Sequence, residues 1–340
     1  MLSGPGPDKT IQFRKIMDLD SILSPVKSDL DKVEQRLEEY LYSDSPLIYQ
    51  VAQYLLERKG KRLRPALVLL SFGESGNSGK DQALDAAVAI ELIHTATLLH
   101  DDVIDQSTTR RGKESINYRW SNLVSVLMGD YLLAKAFKIL VQTKITPLLN
   151  AISSATERVS IGELLQIQER GNHNLSEKIY LRIISDKTAS LFSVACQSGA
   201  IARGEEEKVQ KIYQRYGEDF GTSFQIIDDL LDLIGEKEKT GKELGNDLQE
   251  GKITLPLIYA LASSEDGTRE KILKLFEEGY RPEHFTEIRA FVEKEGGVEY
   301  SRRRASDFGR SALEVISGLK TSEYKDSLTQ LVDFILTREK

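Results

Sequence analysis

Two short segments of the chain carry acidic side chains at the same spacing, and both are set among apolar residues. In each segment, two adjacent aspartates are followed by a third that lies one helical turn after the first: Asp101, Asp102 and Asp105, and Asp228, Asp229 and Asp232. In a helix, the first and third carboxylates of such a triplet share one face. Partly buried carboxylates repel each other unless a cation compensates them. Mg²⁺ typically takes one or two carboxylates together with water and phosphate oxygens, so the repeated spacing predicts a magnesium site for a phosphorylated substrate.

The competing interpretation of either triplet alone is an acidic helix end that faces solvent. The occurrence of two triplets with the same spacing, accompanied by basic segments, favours the metal-binding interpretation. Other motifs fail in detail: residues 73–81 have Glu74 and Asp81 where a phosphate-binding loop needs glycine and Ser or Thr. The calcium-loop pattern and the metalloprotease histidine spacing are also missing from the sequence.

Basic residues are clustered in two places, at 59–64 (KGKRLR) and 110–113 (RRGK). Pro65 predicts a helix that begins there and runs through residues 66–72, because proline is favoured in the first turn. We therefore expect Lys61, Arg62 and Arg64 to lie on a loop at a helix N-terminus, where the backbone N–H groups favour an anion. The alternative is a solvated basic loop without a ligand.

The elements that must position these residues are helices. Apolar residues recur at intervals of three or four along the chain, as in residues 87–97 and 123–134, and convincing alternating strand patterns are missing. No composition shift or repeat divides the chain. The sequence predicts an all-α fold with one large helical domain over residues 11–340, preceded by a mobile tail at residues 1–10.

Composition narrows the class of protein further. The chain of 340 residues is 40% hydrophobic and 29% charged, with a formal net charge of −7, which is globular composition and argues against bulk nucleic-acid binding. The single cysteine, Cys196, cannot form an intramolecular disulfide. No secretion signal or membrane span is recognisable, so we expect a cytoplasmic protein, with a peripheral membrane contact left open.

Taken together, these motifs resemble those of the trans-isoprenyl diphosphate synthases, the head-to-tail polyprenyl transferases. The resemblance covers roughly residues 59–256, and Lys59 stands where many members carry glycine. The matching segments are 60–65 (GKRLRP), 101–105 (DDVID), 110–112 (RRG), 187–189 (KTA), 224–232 (FQIIDDLLD), 241–242 (GK) and 247–256 (DLQEGKITLP). The resemblance implies about ten core helices around a deep central cavity, the isoprenoid synthase fold, in a homodimer.

The resemblance also implies a role for each matching residue. The direct ligands of Mg²⁺, three ions per active site with substrate bound, would be Asp101, Asp105 and Asp228. The aspartates that bind through water or hold those ligands in place would be Asp102, Asp229 and Asp232. The allylic diphosphate would be gripped by Arg110, Lys187, Lys252 and Lys242, with Thr188 and Gln225 assisting. Isopentenyl diphosphate would be held by Lys61, Arg64, His94 and Arg111.

The implied reaction is ionisation of the allylic C–O bond, attack by the double bond of isopentenyl diphosphate, and loss of a proton. Stabilisation of the departing diphosphate by cations is the main catalytic effect. No Asp or His stands out as a dedicated base, so we expect the released diphosphate to accept the proton.

Residues just before the first aspartate motif indicate the product length. Members of the family with short products carry bulky aromatics there, whereas this chain has Ala96 and Thr97. One helical turn rises 5.4 Å, about one isoprene unit, so the tunnel should continue and the product should be long, about C30 to C45. The candidate residues for its floor are Ile90, Ile93, Leu127, Met128, Tyr131 and Phe137.

Three alternatives stay open. A geranylgeranyl diphosphate (C20) synthase would keep the chemistry and have a shallower floor. A class I terpene cyclase would share the aspartates but would have no use for Lys61, Arg64 and His94. A non-catalytic partner subunit would be expected to lose the aspartates, and all six are present.

Overall fold

The computed structural model describes residues 18–57, 60–73, 78–110, 112–235, 244–277 and 280–338. The expected tail at residues 1–10 lies outside these ranges, as do Lys59, Arg111 and Lys242. The first half of the described chain contains helices α1 (Leu19–Ile22), α2 (Lys27–Leu41), α3 (Pro46–Leu56), α4 (Leu63–Phe72), α5 (Lys80–Ile104), α6 (Ile116–Arg119), α7 (Asn122–Gln142) and α8 (Thr146–Gln168). The second half contains α9 (Glu177–Ile184), α10 (Ser190–Ala202), α11 (Glu207–Ile234), α12 (Asn246–Gln249), α13 (Leu255–Ser263), α14 (Asp266–Glu277), α15 (Phe285–Lys294), α16 (Gly297–Ile316) and α17 (Glu323–Thr337).

Short elements complete the described structure. Two 3₁₀ turns span Ser24–Val26 and Pro282–His284, and a π-helical turn over Ser185–Ala189 joins α9 to α10. Strands β1 (Thr109–Arg110) and β2 (Lys113–Glu114) form a small antiparallel hairpin, with Arg110 opposite Lys113. The prediction of an all-α fold is confirmed, while the expectation of one domain over residues 11–340 stays a prediction.

Helix α5 is the central helix of the larger hydrophobic core. It packs against α4, α7 and α10. Its residues are apolar on most of its circumference, and Ala87, Ile90 and Ile93 are completely buried. A helix that is apolar all round is buried inside a protein or a membrane. Helix α5 is long and apolar enough to cross a membrane, and 67% of its most apolar segment is buried against the rest of the protein.

The two long helices α5 and α11 both carry their acidic triplets at their C-terminal ends. Helix α5 ends where Asp105 caps it and Gln106 adopts a left-handed conformation with φ of 51°. Helix α11 ends at Ile234, two residues after Asp232. The C-terminus of a helix carries a partial negative charge, which disfavours aspartate and favours a cation. This placement opposes helix stability at both sites and indicates a functional role.

The helix α4 begins two residues earlier than predicted. The helix begins at Leu63, so Arg64 lies within its first turn and not on a preceding loop. Pro65 fits as the third residue because the first four N–H groups of a helix have no partner within it. Lys61 and Arg62 precede the helix, and Arg62 has a left-handed backbone with φ of 49°.

Candidate active site

The first acidic triplet is surrounded by cations from three parts of the chain. The hairpin after α5 returns Arg110 to the buried Asp102, whose Oδ1 accepts a hydrogen bond from Arg110 Nε at 2.6 Å. Asp105 accepts a hydrogen bond from Arg170 Nη2 at 2.8 Å and another from Lys252 Nζ at 3.3 Å. The C-terminal end of α5 is thus held by basic groups that are suited to an anionic ligand.

Asp101 is the member of this triplet for which burial decides the charge state. Desolvation raises the pKa of its carboxyl to about 6, and nearby Lys187 and Arg110 only partly offset this effect. Glu163 and Asp105 repel a negative charge on Asp101 and contribute to the same shift. A divalent cation at this position would remove the penalty, as expected for a metal ligand.

Lys187 and Thr188 lie on the π-turn and face different acidic triplets. Lys187 Nζ pairs with Glu163 Oε2 of α8 at 2.5 Å, close enough to Asp101 to influence its pKa. Thr188 Oγ1 donates a hydrogen bond to Gln225 Oε1 at 2.9 Å, and Gln225 Nε2 donates to Asp229 Oδ1 at 2.6 Å. The π-turn therefore connects the two ends of the site.

The second triplet places its three aspartates in different surroundings. Asp229 is buried and also accepts a hydrogen bond from Tyr180 OH at 2.6 Å; burial raises the pKa of this carboxyl to about 7. Asp228 is 49% exposed and pairs with Arg338 Nη2 at 3.0 Å. Asp232 accepts a hydrogen bond from the backbone N–H of Asp247 at 3.0 Å, so it anchors the loop that leads to Lys252.

That loop brings a cation and a further carboxyl beside the second triplet. Lys252 pairs with Glu250 as well as Asp105, and these carboxylates and Asp247 raise the pKa of its ammonium group, which stays charged. Burial and the neighbouring Asp229 and Asp232 raise the pKa of Asp247. One cavity is lined by Arg170, Tyr180, Asp229, Asp247 and Lys252 among others.

The predicted residues for the second diphosphate lie near the start of α4 and in the middle of α5. His94 lines a cavity together with Asp102 and Arg110. The Arg64 guanidinium lies 4.3 Å from the ring centroid of Phe192, and Lys61 Nζ lies 5.8 Å from that of Phe334.

We expected Arg62 to contribute to anion binding. Its guanidinium instead forms ion pairs with two carboxylates of the protein. Its Nε contacts Glu34 and its Nη1 contacts the buried Glu91, each at 2.5 Å. Its positive charge is therefore compensated within the protein.

The predicted chain-length residues lie on the packed helices α5 and α7. Ala96, Ile90 and Ile93 are fully buried, and Met128 is 4% exposed. Thr97 is half-buried and donates its hydroxyl hydrogen to His94 O at 2.8 Å. Tyr131 and Phe137 pack against the core, whereas Leu127 is 57% exposed. The role of these residues as a tunnel floor stays a prediction.

Three charged residues at the site were not predicted from the sequence: Glu163, Arg170 and Arg338. Glu163 follows Gly162, and both face the π-turn. No motif in this part of the sequence predicts that they lie at a functional site. Arg170 and Arg338 reach Asp105 and Asp228 from positions 65 and 110 residues away in the chain. Only the tertiary fold brings them there.

The donor set fits Mg²⁺ bound jointly with a diphosphate. Among the described residues, no three acidic, histidine or cysteine side chains are close enough together to enclose a metal ion. The carboxylates instead form separate groups of hard oxygen donors, at Asp101 and Asp105 and at Asp228. Mg²⁺ is commonly bound by one or two carboxylates plus water and substrate phosphates, so this arrangement suits it.

The fold and the site define a class of all-helical proteins that carry two aspartate motifs at the ends of long helices. Comparisons with known proteins identify the family. Residues 45–294 match the model of the polyprenyl synthetase family, and the chain belongs to this family, as its motifs predicted. It is 37% identical over 316 residues to octaprenyl diphosphate synthase of Haemophilus influenzae, covering 93% of this chain and 96% of that protein. It is 34% identical over 334 residues to heptaprenyl diphosphate synthase component 2 of Bacillus subtilis, covering 98% and 95%.

A solved structure shows the same fold. The polyprenyl synthase from Caulobacter crescentus, complexed with calcium and isoprenyl diphosphate, superposes with a TM-score of 0.90 at 33% identity, covering 96% of this chain and 100% of that one. The isoprenoid synthase fold that the sequence motifs implied is therefore confirmed.

Proposed function

We propose that this protein is a Mg²⁺-dependent trans-prenyltransferase that condenses isopentenyl diphosphate with an allylic diphosphate. The observation that carries the proposal is the pairing of the two aspartate triplets at the ends of α5 and α11. The π-turn with Lys187 and Thr188 and the loop with Lys252 lie between them. Family membership supports the same activity.

The cationic side chains have distinct tasks in this proposal. Arg110, Lys187 and Lys252, together with Lys242, would bind the allylic diphosphate and stabilise the negative charge that it gains as the C–O bond ionises. Mg²⁺ held by Asp101, Asp105 and Asp228 would add electrophilic stabilisation of that leaving group. Lys61, Arg64, His94 and Arg111 would orient isopentenyl diphosphate for attack. Asp102 and Asp229 are held by Arg110 and Tyr180 and would keep the ligand helices in place.

We propose a long-chain product of about C30 to C45, because the side chains just before the first aspartate motif, Ala96 and Thr97, are small. The names of the related octaprenyl and heptaprenyl synthases support this length. The Bacillus subtilis relative is named as component 2 of its synthase, which favours a second candidate: an active subunit that requires a partner chain.

We propose a homodimer in the cytoplasm with peripheral membrane contact for product release. Support for the dimer comes from an apolar face on α7 and α8. Its exposed side chains are Leu123, Leu127, Ile161, Leu164 and Ile167. Leu123 and Leu164 are 68% and 67% exposed, and a second copy of the chain would cover such a surface.

The test is incubation of the purified protein with Mg²⁺, labelled isopentenyl diphosphate and farnesyl diphosphate, followed by length analysis of the dephosphorylated products. We expect a ladder that ends in one dominant chain of about C30 to C45. A stop at C20 would contradict the long-chain assignment. No incorporation with several allylic primers would contradict activity of this chain alone and favour the two-component candidate.

A further inference from the structure

We infer that Arg158 of α8 is a positioning residue for the reaction, which holds the π-turn so that Lys187 and Thr188 reach both halves of the site. The inference rests on the proposed function and deepens it. Arg158 belongs to none of the motifs, and it touches neither acidic triplet. Its influence would pass through the backbone of the π-turn.

The guanidinium of Arg158 binds the start of the π-turn through several hydrogen bonds. Its Nε donates to Asp186 Oδ1 at 2.8 Å, and its Nη2 donates to Ser185 Oγ at 2.9 Å and Ser185 O at 3.2 Å. Arg158 also forms a two-point pair with Glu218 of α11, at 3.0 Å to Oε2 and 2.8 Å to Oε1. The pair ties the π-turn to α8 and α11 at the same time.

The charges of this cluster are fixed by their mutual contacts. Hydrogen bonds from Arg158 and Ser185 lower the pKa of Glu218 despite its burial. The Glu218 and Asp186 carboxylates raise the pKa of the Arg158 guanidinium. A planar fork of five donors suits this geometry, and a lysine in its place could not satisfy it.

The π-turn itself is a conformation that needs such support. π-helical turns are rare, are found mostly as single turns within helices, and often occur at functional sites. Here the backbone is enclosed closely on two sides. A Cβ atom on Gly162 of α8 would lie 2.4 Å from Lys187 N, and one on Gly221 of α11 would lie 2.7 Å from Ala189 Cα. The two glycines allow α8 and α11 to lie close to the π-turn, and Arg158 fixes the position of the turn against both helices.

One residue outside the motifs therefore controls the orientation of two side chains within them. Lys187 points from the turn towards Glu163 and Asp101, while Thr188 points towards Gln225 and the second triplet. Loosening the turn would displace both side chains from the allylic diphosphate. Isopentenyl diphosphate would be affected less, because its predicted contacts Lys61, Arg64 and His94 lie just before or on α4 and on α5, and not on the π-turn.

The test compares Arg158→Lys with a matched control, Arg304→Lys, in steady-state kinetics with both substrates. Arg304 also pairs with a carboxylate, Glu177 Oε1 at 2.7 Å, but it lies on α16 and outside the site. We expect Arg158→Lys to raise KM for farnesyl diphosphate about tenfold or more, as for loss of a charge-assisted contact, with KM for isopentenyl diphosphate changed less than about twofold. The control should leave both values unchanged.

A double-mutant cycle with Lys187→Met separates positioning from general stability. If Arg158 acts through the π-turn, adding Arg158→Lys to Lys187→Met should raise KM for farnesyl diphosphate by a clearly smaller factor than adding it to the parent protein, because only the displacement of Thr188 remains. Additive effects, or equal effects on both substrates, would overturn the inference. Should Arg158→Lys fail to fold, Glu218→Gln removes the same pair and is expected to give the same selective loss.

A binding measurement keeps this test independent of turnover. Calorimetric titration with Mg²⁺ and farnesyl S-thiolodiphosphate should show weaker binding to Arg158→Lys than to the parent and the Arg304 variant. Equal binding would overturn the inference. An inactive parent that nonetheless shows this selective loss of binding would contradict the proposed function and leave the role of Arg158 intact.

Discussion

At the scale of single residues, the site combines carboxylates that destabilise the unliganded protein with cations that partly compensate them. Asp101 and Asp229 are costly to ionise because they are buried, and each lies near the negative end of a helix. Such perturbed groups cluster at functional sites. Such carboxylates suit a site in which divalent cations bind together with a diphosphate and compensate the negative charge.

The first prediction concerns these carboxylates. Asp101→Asn should lower kcat at least about 10²-fold, the scale seen when one electrostatic contact to a developing charge is removed. The melting temperature without Mg²⁺ should stay the same or rise, because a buried charge is removed. Steady-state kinetics and thermal unfolding of the same samples check both. Asp326→Asn, on the exposed first turn of α17, is the control; near-normal turnover of Asp101→Asn would contradict the assignment.

The second prediction concerns product length. Thr97→Phe places a ring one turn above Asp101 on α5, and we expect it to obstruct the tunnel and shorten the dominant product by several isoprene units. Thr97→Ser keeps the hydroxyl that donates to His94 O and should leave the length unchanged. Length analysis of the products checks both variants. An unchanged distribution for Thr97→Phe would show that the growing chain passes elsewhere.

Residues within short motifs were predictable from the sequence because their spacing along a helix fixes their relative positions. The two triplets are of this kind. Thr188 and Gln225 were assigned near the allylic diphosphate only by the resemblance to the family, and their hydrogen bond joins two different elements. Arg170 and Arg338 were not predictable, since they reach the site through contacts between distant segments. Arg62 looked like part of an anion site, yet it pairs with Glu34 and Glu91, which no local pattern reveals.

At the scale of elements, helix ends and one irregular turn position the chemistry. The apolar periodicity predicted the helices, and α11 ends directly before Gly235. The π-turn was not predictable, because residues 185–189 continue the same mixed pattern as the helices around them. Tertiary contacts account for the π-turn. Gly162 and Gly221 leave room for the backbone of the turn, and Arg158 holds it through hydrogen bonds.

The third prediction tests this packing. Gly162→Ala would put a methyl group 2.4 Å from Lys187 N, so α8 and the π-turn must separate. We expect a loss of about 1–3 kcal/mol in the free energy of unfolding, as for overpacked cores, and reduced affinity for farnesyl diphosphate. Gly267→Ala, on α14 with open space around its Cβ, is the control. Denaturant unfolding and substrate kinetics measure both; an unaffected Gly162→Ala protein would refute the close approach.

At the scale of the whole molecule, the described chain leaves an apolar face on α7 and α8. The fold class followed from helical periodicity and the motifs, and it proved correct. The position of Leu127 was not evident from its spacing: it was predicted as a floor residue, yet it lies among the exposed residues of this face. Periodicity identifies which residues share a helix face but not what covers that face.

The fourth prediction concerns that face. If a second copy of the chain covers it, the double variant Leu123→Glu, Leu127→Glu should be monomeric, because four buried charges per dimer would be unpaired. Light scattering after size-exclusion chromatography measures the mass of each species. Leu47→Glu, at an exposed residue of α3, should stay dimeric. A parent protein that is monomeric at micromolar concentration would contradict the proposed dimer.

In the proposed function, the two aspartate triplets together bind one diphosphate through divalent cations. The most direct measurement is anomalous diffraction at the manganese edge from crystals grown with Mn²⁺ and farnesyl S-thiolodiphosphate. We predict peaks bonded to Asp101 and Asp105 on one side and to Asp228 on the other, with the diphosphate between them. Metal at only one triplet, or a diphosphate bound away from both, would contradict the account.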